Sequence, residues 1–76
     1  MSVRLPEVRP RELERVVLRL GYQFARSRGS HRIYKHPGDP TRRVVLSFHP
    51  GTVKRGTLAR IVRDLGISVE EFLALL

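Results

Sequence analysis

The sequence predicts an α+β domain of two layers, with a three-stranded antiparallel sheet and helices on one of its faces. Two observations support this. Apolar residues recur at helical spacing near both ends of the chain, and the segment between them is strand-like and interrupted by short turns. A chain of 76 residues has room for one domain, residues 1–76, with a small core. Short connections between consecutive strands favour a simple antiparallel meander.

The first helix is predicted to begin at Pro10, because proline suits the first helical position. Gly21 is placed to end this helix, since glycine readily adopts the conformation that follows a helix C-terminus. The spacing of i, i+3, i+4 and i+7 indicates one apolar face directed toward a core. That face carries Leu13, Val16, Val17 and Leu20.

Three strands are predicted between this helix and the next. The first strand ends where Arg28-Gly29-Ser30 turns the chain, and the second strand covers His31 to His36. The four residues Pro37-Gly38-Asp39-Pro40 predict the second turn, and the third strand is predicted over Arg43 to Phe48. The alternation of this last strand places three apolar side chains on one face, namely Val44, Leu46 and Phe48.

Two helices are predicted to close the chain. The longer one opens at Lys54-Arg55-Gly56-Thr57 and ends at Gly66. Its apolar face comprises Leu58, Ile61, Val62 and Leu65. A short third helix follows, because Ser68 and Glu71 have the spacing of a capping box. With both long helices on one side of the sheet, the opposite sheet face is expected to stay open.

The charge of the chain indicates an anionic partner. The formal net charge is +8, with 15 Lys and Arg against 7 Asp and Glu. Such a charge attracts polyanions and makes their binding depend on salt, although basic side chains also keep small domains soluble. The only acid in the segment 26–63 is Asp39. Its ten basic residues are Arg26, Arg28, Arg32, Lys35, Arg42, Arg43, Lys54, Arg55, Arg60 and Arg63.

Several classes of protein are disfavoured by what the sequence lacks. There is no cysteine, so disulfide frameworks and thiolate metal sites are excluded. The N-terminal MSVRLPEVRP has no apolar run of signal-peptide length, and no later segment is long enough to span a membrane. We therefore expect a cytoplasmic protein without a membrane partner. Neither a metal-binding histidine motif nor a glycine-rich nucleotide loop is present, so no metal and no cofactor are expected.

His31 is the candidate catalytic residue. An imidazole, whose unperturbed pKa lies near 6.5, can exchange a proton with a ribose 2′-hydroxyl or with a leaving oxygen of RNA without a metal. A catalytic Ser30–His31 pair is a weak alternative, because adjacent strand residues point to opposite faces. A surface histidine that does no chemistry also fits the sequence. For a second proton-transfer group, His49, Tyr34 and a water relay all stay open.

The same reasoning predicts the residues that bind the RNA backbone. Cations beside the first turn, together with cations and free backbone N–H groups at the start of the longer closing helix, suit phosphate. An ordinary helix cap formed by Thr57 or Gly56 is the alternative for the second group. The predicted RNA-binding residues are Arg28, Gly29, Ser30, Arg32, Lys54, Arg55 and Thr57.

The chain resembles the HicA toxins of toxin–antitoxin systems over nearly its whole length from Arg11 onward. The resemblance is carried by Gly29-Ser30-His31, by His36-Pro37, by the segment 54–58 and by Gly66-Ile67-Ser68. It implies a fold like that of double-stranded-RNA-binding domains, α-β-β-β-α, here with an added short C-terminal helix. It also implies a ribonuclease that cleaves messenger RNA and arrests growth, with His31 as the catalytic histidine. A HicB-type antitoxin that binds the toxin and blocks its active site is implied as partner.

The resemblance supports a role for His49 less than one for His31, because Phe48 stands where the family commonly has a proline before the histidine. Two functions without chemistry remain as alternatives. A double-stranded-RNA-binding domain holds duplexes by shape and phosphate contacts. An interaction module would display its short C-terminal helix to a protein partner. Loss of His31 distinguishes these from a nuclease, because neither module needs that imidazole.

Overall fold

The computed structural model describes residues 4–76, and over that range it confirms the predicted order of elements. The first three residues, which belong to the segment considered for a signal peptide, lie outside the described range. Between residues 4 and 76, no helix has the length and apolar character needed to cross a membrane. In chain order the elements are α1 (Pro10–Arg19), β1 (Gln23–Arg28), β2 (His31–His36), β3 (Asp39–Ser47), α2 (Arg55–Asp64) and α3 (Val69–Leu75).

The three strands form the predicted antiparallel meander, in the order β1-β2-β3, with β2 in the centre. Arg28 and His31 pair directly, so Gly29 and Ser30 alone form the turn between β1 and β2. Gly29 has a φ of +60°, whereas Ser30 does not have a positive φ, which is the φ pattern of a type II′ turn. Glycine is favoured at this first turn position, because other residues rarely adopt that backbone angle.

The predicted start of the third strand is wrong by four residues. Pro37 and Gly38 alone make the turn, His36 pairs with Asp39, and β3 begins at Asp39 rather than at Arg43. The register between β2 and β3 shifts beside this turn, which lets a short proline-containing turn join the two strands. Pro40 is tolerated because β3 is an edge strand, where a missing N–H interrupts no central ladder. The strand ends at Ser47, one residue earlier than predicted.

The register gives the two sheet faces different roles. Tyr34, Val44 and Leu46 are buried and face the helices, as the alternation of β2 and β3 requires. The cross-strand pairs that alternate with these residues point to the opposite face of the sheet, and their side chains are exposed or half-buried. Those pairs are His31–Ser47, Ile33–Val45 and Lys35–Arg43. One face of the sheet is therefore core, and the other is open, as predicted.

The core lies between the sheet and the helices. The predicted apolar face of α1 is buried at Leu13, Val16 and Val17, while Leu20 is half-buried against the same cluster. Phe72 brings α3 into this core with its side chain fully buried, so the short helix completes the core. The predicted residues of the second helix are all buried, namely Leu58, Ile61, Val62 and Leu65.

Candidate active site

His31 is exposed at the first position of β2, on the open face of the sheet. The turn formed by Gly29 and Ser30 sets this position, because a two-residue hairpin loop fixes which residue begins the second strand. Arg28 is its direct partner on β1, so the two side chains project from the same face. Both side chains are accessible to a large ligand that approaches the open face.

A cleft of about 560 Å³ adjoins His31 at the end of β3. Its walls come from the start of α1, from the end of β3, from the loop that follows and from the first turns of α2. The polar side chains that line the cleft include two imidazoles and two cations, but no carboxylate from the described part of the chain. These polar residues are His31, Ser47, His49, Thr52, Lys54, Thr57 and Arg60. The structure therefore brings His31 and His49 to one cleft.

The start of α2 forms one side of this cleft. Lys54 is the N-cap residue, and no side chain caps the helix, so the predicted alternative of a Thr57 or Gly56 cap is not what is observed. The first turn holds no acidic residue. Lys54 and Thr57 line the cleft, and Arg55 is exposed beside them. The uncapped helix start and its cations make this side of the cleft electropositive.

Arg32 and Tyr34 lie on the other side of the sheet from His31. Arg32 donates to the Glu14 carboxylate at 3.2 Å, and its guanidinium lies 4.2 Å from the centre of the Phe48 ring. Tyr34 is fully buried, and its hydroxyl donates to the same carboxylate of Glu14. Neither side chain lines the His31 cleft. Successive residues of a strand point to opposite faces, so Arg32 projects away from His31.

These contacts also change the ionisation of both side chains. Burial, followed by the hydrogen bond to Glu14, raises the pKa of Tyr34 to about 12. The pKa of the Arg32 guanidinium is raised by Tyr34 and then by Glu14. A phenol with a raised pKa holds its proton firmly at neutral pH. This arrangement suits a structural anchor between α1 and β2, and it does not suit proton transfer on the opposite face.

Two residues that line the cleft were not among the predicted site residues. Ser47 is paired with His31 across the strands, and its hydroxyl is hydrogen-bonded to Nε2 of His49. Arg60 lines the cleft one helical turn after Thr57. The helical spacing of Thr57 and Arg60 was a signal that could have revealed Arg60. Nothing local marks Ser47, because its position depends on the register between β2 and β3.

His36 is the one histidine that does not line this cleft. It lies at the far end of β2, where its ring packs edge-on against Tyr22 with 5.1 Å between ring centres. Its Nδ1 accepts from the backbone N–H of Gly38 at 3.1 Å. His36 thus ends β2 and bonds to the turn that follows it. Across residues 4–76, no three His, Cys, Asp or Glu side chains are grouped as metal ligands would be.

Comparison with known protein families bears on this arrangement. The family model described as the HicA toxin of bacterial toxin–antitoxin systems matches residues 10–67. The match begins at the first residue of α1 and includes the turn before His31, the cleft and all of α2. A search of curated proteins finds no match. Since the family model covers most of the chain, the protein belongs to the HicA family of toxins, for which the toxin–antitoxin system supplies a cognate antitoxin partner.

Proposed function

We propose that this toxin is a metal-independent endoribonuclease that cleaves messenger RNA in the cytoplasm, with His31 as a general acid or base. The observation that carries the proposal is the position of His31. It is exposed beside a cleft that contains cations and a second imidazole but no carboxylate from residues 4–76. A polyanion is attracted to such a cleft, and no lining acid competes with its phosphates for the cations.

RNA suits this site because it carries its own nucleophile. When a base takes the proton of a ribose 2′-hydroxyl, the oxygen can attack the adjacent phosphorus and displace the 5′-oxygen of the next nucleotide. The protein then has to hold the strand, move protons and stabilise the charge that develops on the phosphate. His31 supplies an imidazole for proton transfer, and Lys54 and Arg60 place positive charge at the same cleft.

We infer two groups of RNA-binding residues around His31. At the turn, Arg28 shares the open face with His31, and Gly29 and Ser30 expose backbone to an approaching strand. At the start of α2, Lys54, Arg55 and Thr57 surround N–H groups that no side chain caps. Both groups flank the same cleft, so one RNA strand could contact them together.

Arg32 and Tyr34 are left out of the proposed site. The Arg32 guanidinium is paired with Glu14 on the helix-covered face, and Tyr34 is buried beside it. Recruiting Arg32 to RNA would break this ion pair. We propose instead that the two side chains hold β2 against α1.

The HicB-type antitoxin is proposed to inhibit by covering His31 and the cleft. The open sheet face is the accessible route to both, and its exposed cations include Arg28, Lys35 and Arg43. An inhibitor with acidic groups would match this face and exclude RNA from it.

The test is cleavage of an unstructured, mixed-sequence RNA by the purified toxin in excess EDTA. We expect the parent protein to cut and to leave 2′,3′-cyclic phosphate ends, and His31→Ala to cut about 10²–10⁴-fold more slowly. His36→Ala is the matched control, because it removes an imidazole from the other end of the same strand. Thermal unfolding of each variant checks that the fold is retained.

A second outcome would favour the RNA-binding module. If the parent and His31→Ala bind RNA equally and neither cuts it, the nuclease proposal is wrong. Binding would then be expected to depend on Arg28, Lys54 and Arg55 alone, without any chemistry at the imidazole.

A further inference from the structure

Ser47 and His49 form a hydrogen-bonded pair at the end of β3. The Ser47 hydroxyl is bonded to Nε2 of His49, which lies two residues further along the chain. Ser47 is half-buried and is the last residue of the strand, whereas His49 is exposed in the following loop. A residue in a regular strand thus fixes the ring of a residue that lies outside the strand.

The pairing of β2 with β3 brings this unit close to His31. Ser47 is the direct cross-strand partner of His31, and the next pair is joined by a bond from the Phe48 N–H to the Ser30 carbonyl at 2.8 Å. Because hydrogen-bonded and non-hydrogen-bonded pairs alternate in an antiparallel ladder, His31 and Ser47 form a non-hydrogen-bonded pair. Side chains in such pairs are the closest in a sheet, with Cβ atoms about 4.5–5.5 Å apart.

A hydroxyl and two cations surround His49 in the cleft. Its hydrogen-bond partner is a hydroxyl, which can donate to a neutral imidazole or accept from a protonated one. The charged side chains that line the cleft are Lys54 and Arg60, and no described carboxylate lies there to hold an imidazole in its charged form. The hydrogen bond to Ser47 can therefore hold the ring of His49 as a donor or as an acceptor.

We propose that His49 is the second proton-transfer group of the toxin and that Ser47 is its positioning residue, an inference that rests on the proposed nuclease function. One imidazole accepts the proton of the 2′-hydroxyl as O2′ bonds to phosphorus. The bond from phosphorus to O5′ breaks, and the leaving O5′ takes a proton from the other imidazole, which starts in its protonated form. The products are a 2′,3′-cyclic phosphate and a 5′-hydroxyl, and the two imidazoles have exchanged charge states.

The experiment compares His49→Ala, Ser47→Ala and Ser47→Thr with the parent in single-turnover cleavage of RNA in EDTA, across pH 5 to 9. The parent should show a bell-shaped profile, because one imidazole must be neutral and the other protonated. His49→Ala should cut about 10²-fold more slowly or worse, should lose one limb of the profile and should bind RNA as the parent does. Ser47→Ala should lower the single-turnover rate constant about tenfold through misplacement of the His49 ring, and Ser47→Thr should restore the rate by returning a hydroxyl.

The outcomes separate this inference from the proposed function. If the parent and His49→Ala cut equally while His31→Ala is inactive, the proposed nuclease function is supported and the proposed role of His49 is wrong. If His49→Ala loses RNA binding together with cleavage, His49 is a binding residue and the inference is again overturned. If the parent itself does not cut RNA, both the proposed nuclease function and the proposed role of His49 are wrong. Thermal unfolding confirms that Ser47→Ala, at a half-buried position, is folded before its rate is interpreted.

Discussion

Glu14 connects two side chains of β2 to the first helix. Its carboxylate accepts from the Tyr34 hydroxyl and from Arg32, and Arg32 in turn covers the Phe48 ring. A phenol buried in a core needs such a partner, since an unpaired buried hydroxyl costs about 1–3 kcal/mol. The cluster therefore fixes the far side of the strand whose open face presents His31.

Replacing Tyr34 with phenylalanine tests this anchor through pH. The folded protein keeps the Tyr34 proton up to a pKa of about 12, whereas a tyrosine in an unfolded chain loses it near its ordinary value of 10.0. Above pH 10 the folded state thus binds more protons, and the contribution of Tyr34 to stability is lost as the pH rises toward 12. The stability advantage of the parent over Tyr34→Phe should be about 1 kcal/mol at pH 7 and should shrink between pH 10 and 12.

Urea denaturation of both proteins at a series of pH values gives this difference directly. Groups that do not contact Tyr34 titrate alike in both proteins, so their contributions to stability cancel in the comparison. A difference that does not change with pH would show that the Tyr34 hydroxyl is not shielded in the way the structure indicates.

At the scale of elements, α3 shows how a helix of seven residues is held in place. Isolated helices shorter than about 12–15 residues are marginal in water, so local and tertiary contacts must stabilise it. Ser68 caps its start by accepting from the Glu71 N–H at 3.1 Å, and Glu71 completes the predicted capping box. Phe72 is buried in the core, and Arg19 of α1 donates to the Leu75 carbonyl at 2.8 Å.

The contribution of the Ser68 cap should be measurable in the free energy of unfolding of the whole chain. Ser68→Ala leaves the Glu71 N–H without its acceptor, and we expect the free energy of unfolding to fall by about 1 kcal/mol. For a domain of this size, that loss corresponds to a Tm lower by about 4–8 °C. Ser68→Asp should restore the Tm, because aspartate is an equally good N-cap residue.

Ser27→Ala is the matched control, since Ser27 is an exposed residue of β1 and caps no helix. Equal Tm values for the two serine-to-alanine variants would contradict the capping role of Ser68.

At the scale of the whole molecule, charge and topology act together. The helices cover one face of the sheet, so the cations of the other face are left exposed around His31. Asp39 is the only acidic residue between α1 and α2, and it lies at the opposite end of β3 from the cleft. This segment therefore adds little negative charge near the cleft. The open face therefore presents positive charge where a polyanion can reach it.

Salt dependence distinguishes contact with RNA from general attraction. Arg55→Ala, at the start of α2, should weaken RNA binding and reduce the slope of log K against log salt by about 0.7, the value for one lost single-strand phosphate contact. Arg63→Ala is the matched control, because it removes the same charge from the last turn of the same helix. Binding measured by fluorescence anisotropy at several salt concentrations gives both slopes. Equal slopes for the two variants would place the RNA elsewhere.

The sequence by itself determined the order of the elements and the position of His31 at the start of a strand. Helical and strand periodicities are local properties, so the apolar faces of α1 and α2 and the bounds of β2 could be predicted from spacing. The turn residues Gly29 and Ser30 likewise predicted that His31 begins a strand, because turn geometry is set by neighbouring residues. The start of β3 was predicted wrongly, since strand pairing rather than local composition decides how far a hairpin extends.

Only the tertiary structure decided what surrounds His31. Contacts between β2 and β3 depend on register, and a shift by one residue would send every side chain of a strand to the other face. That register places Ser47 opposite His31, brings His49 to the same cleft, and turns Arg32 and Tyr34 toward Glu14. Tyr34 and Glu14, whose side chains are hydrogen-bonded, lie 20 positions apart in the chain. Their proximity arises because the core can bury Tyr34, Val44 and Leu46 only when the strands pair in this register.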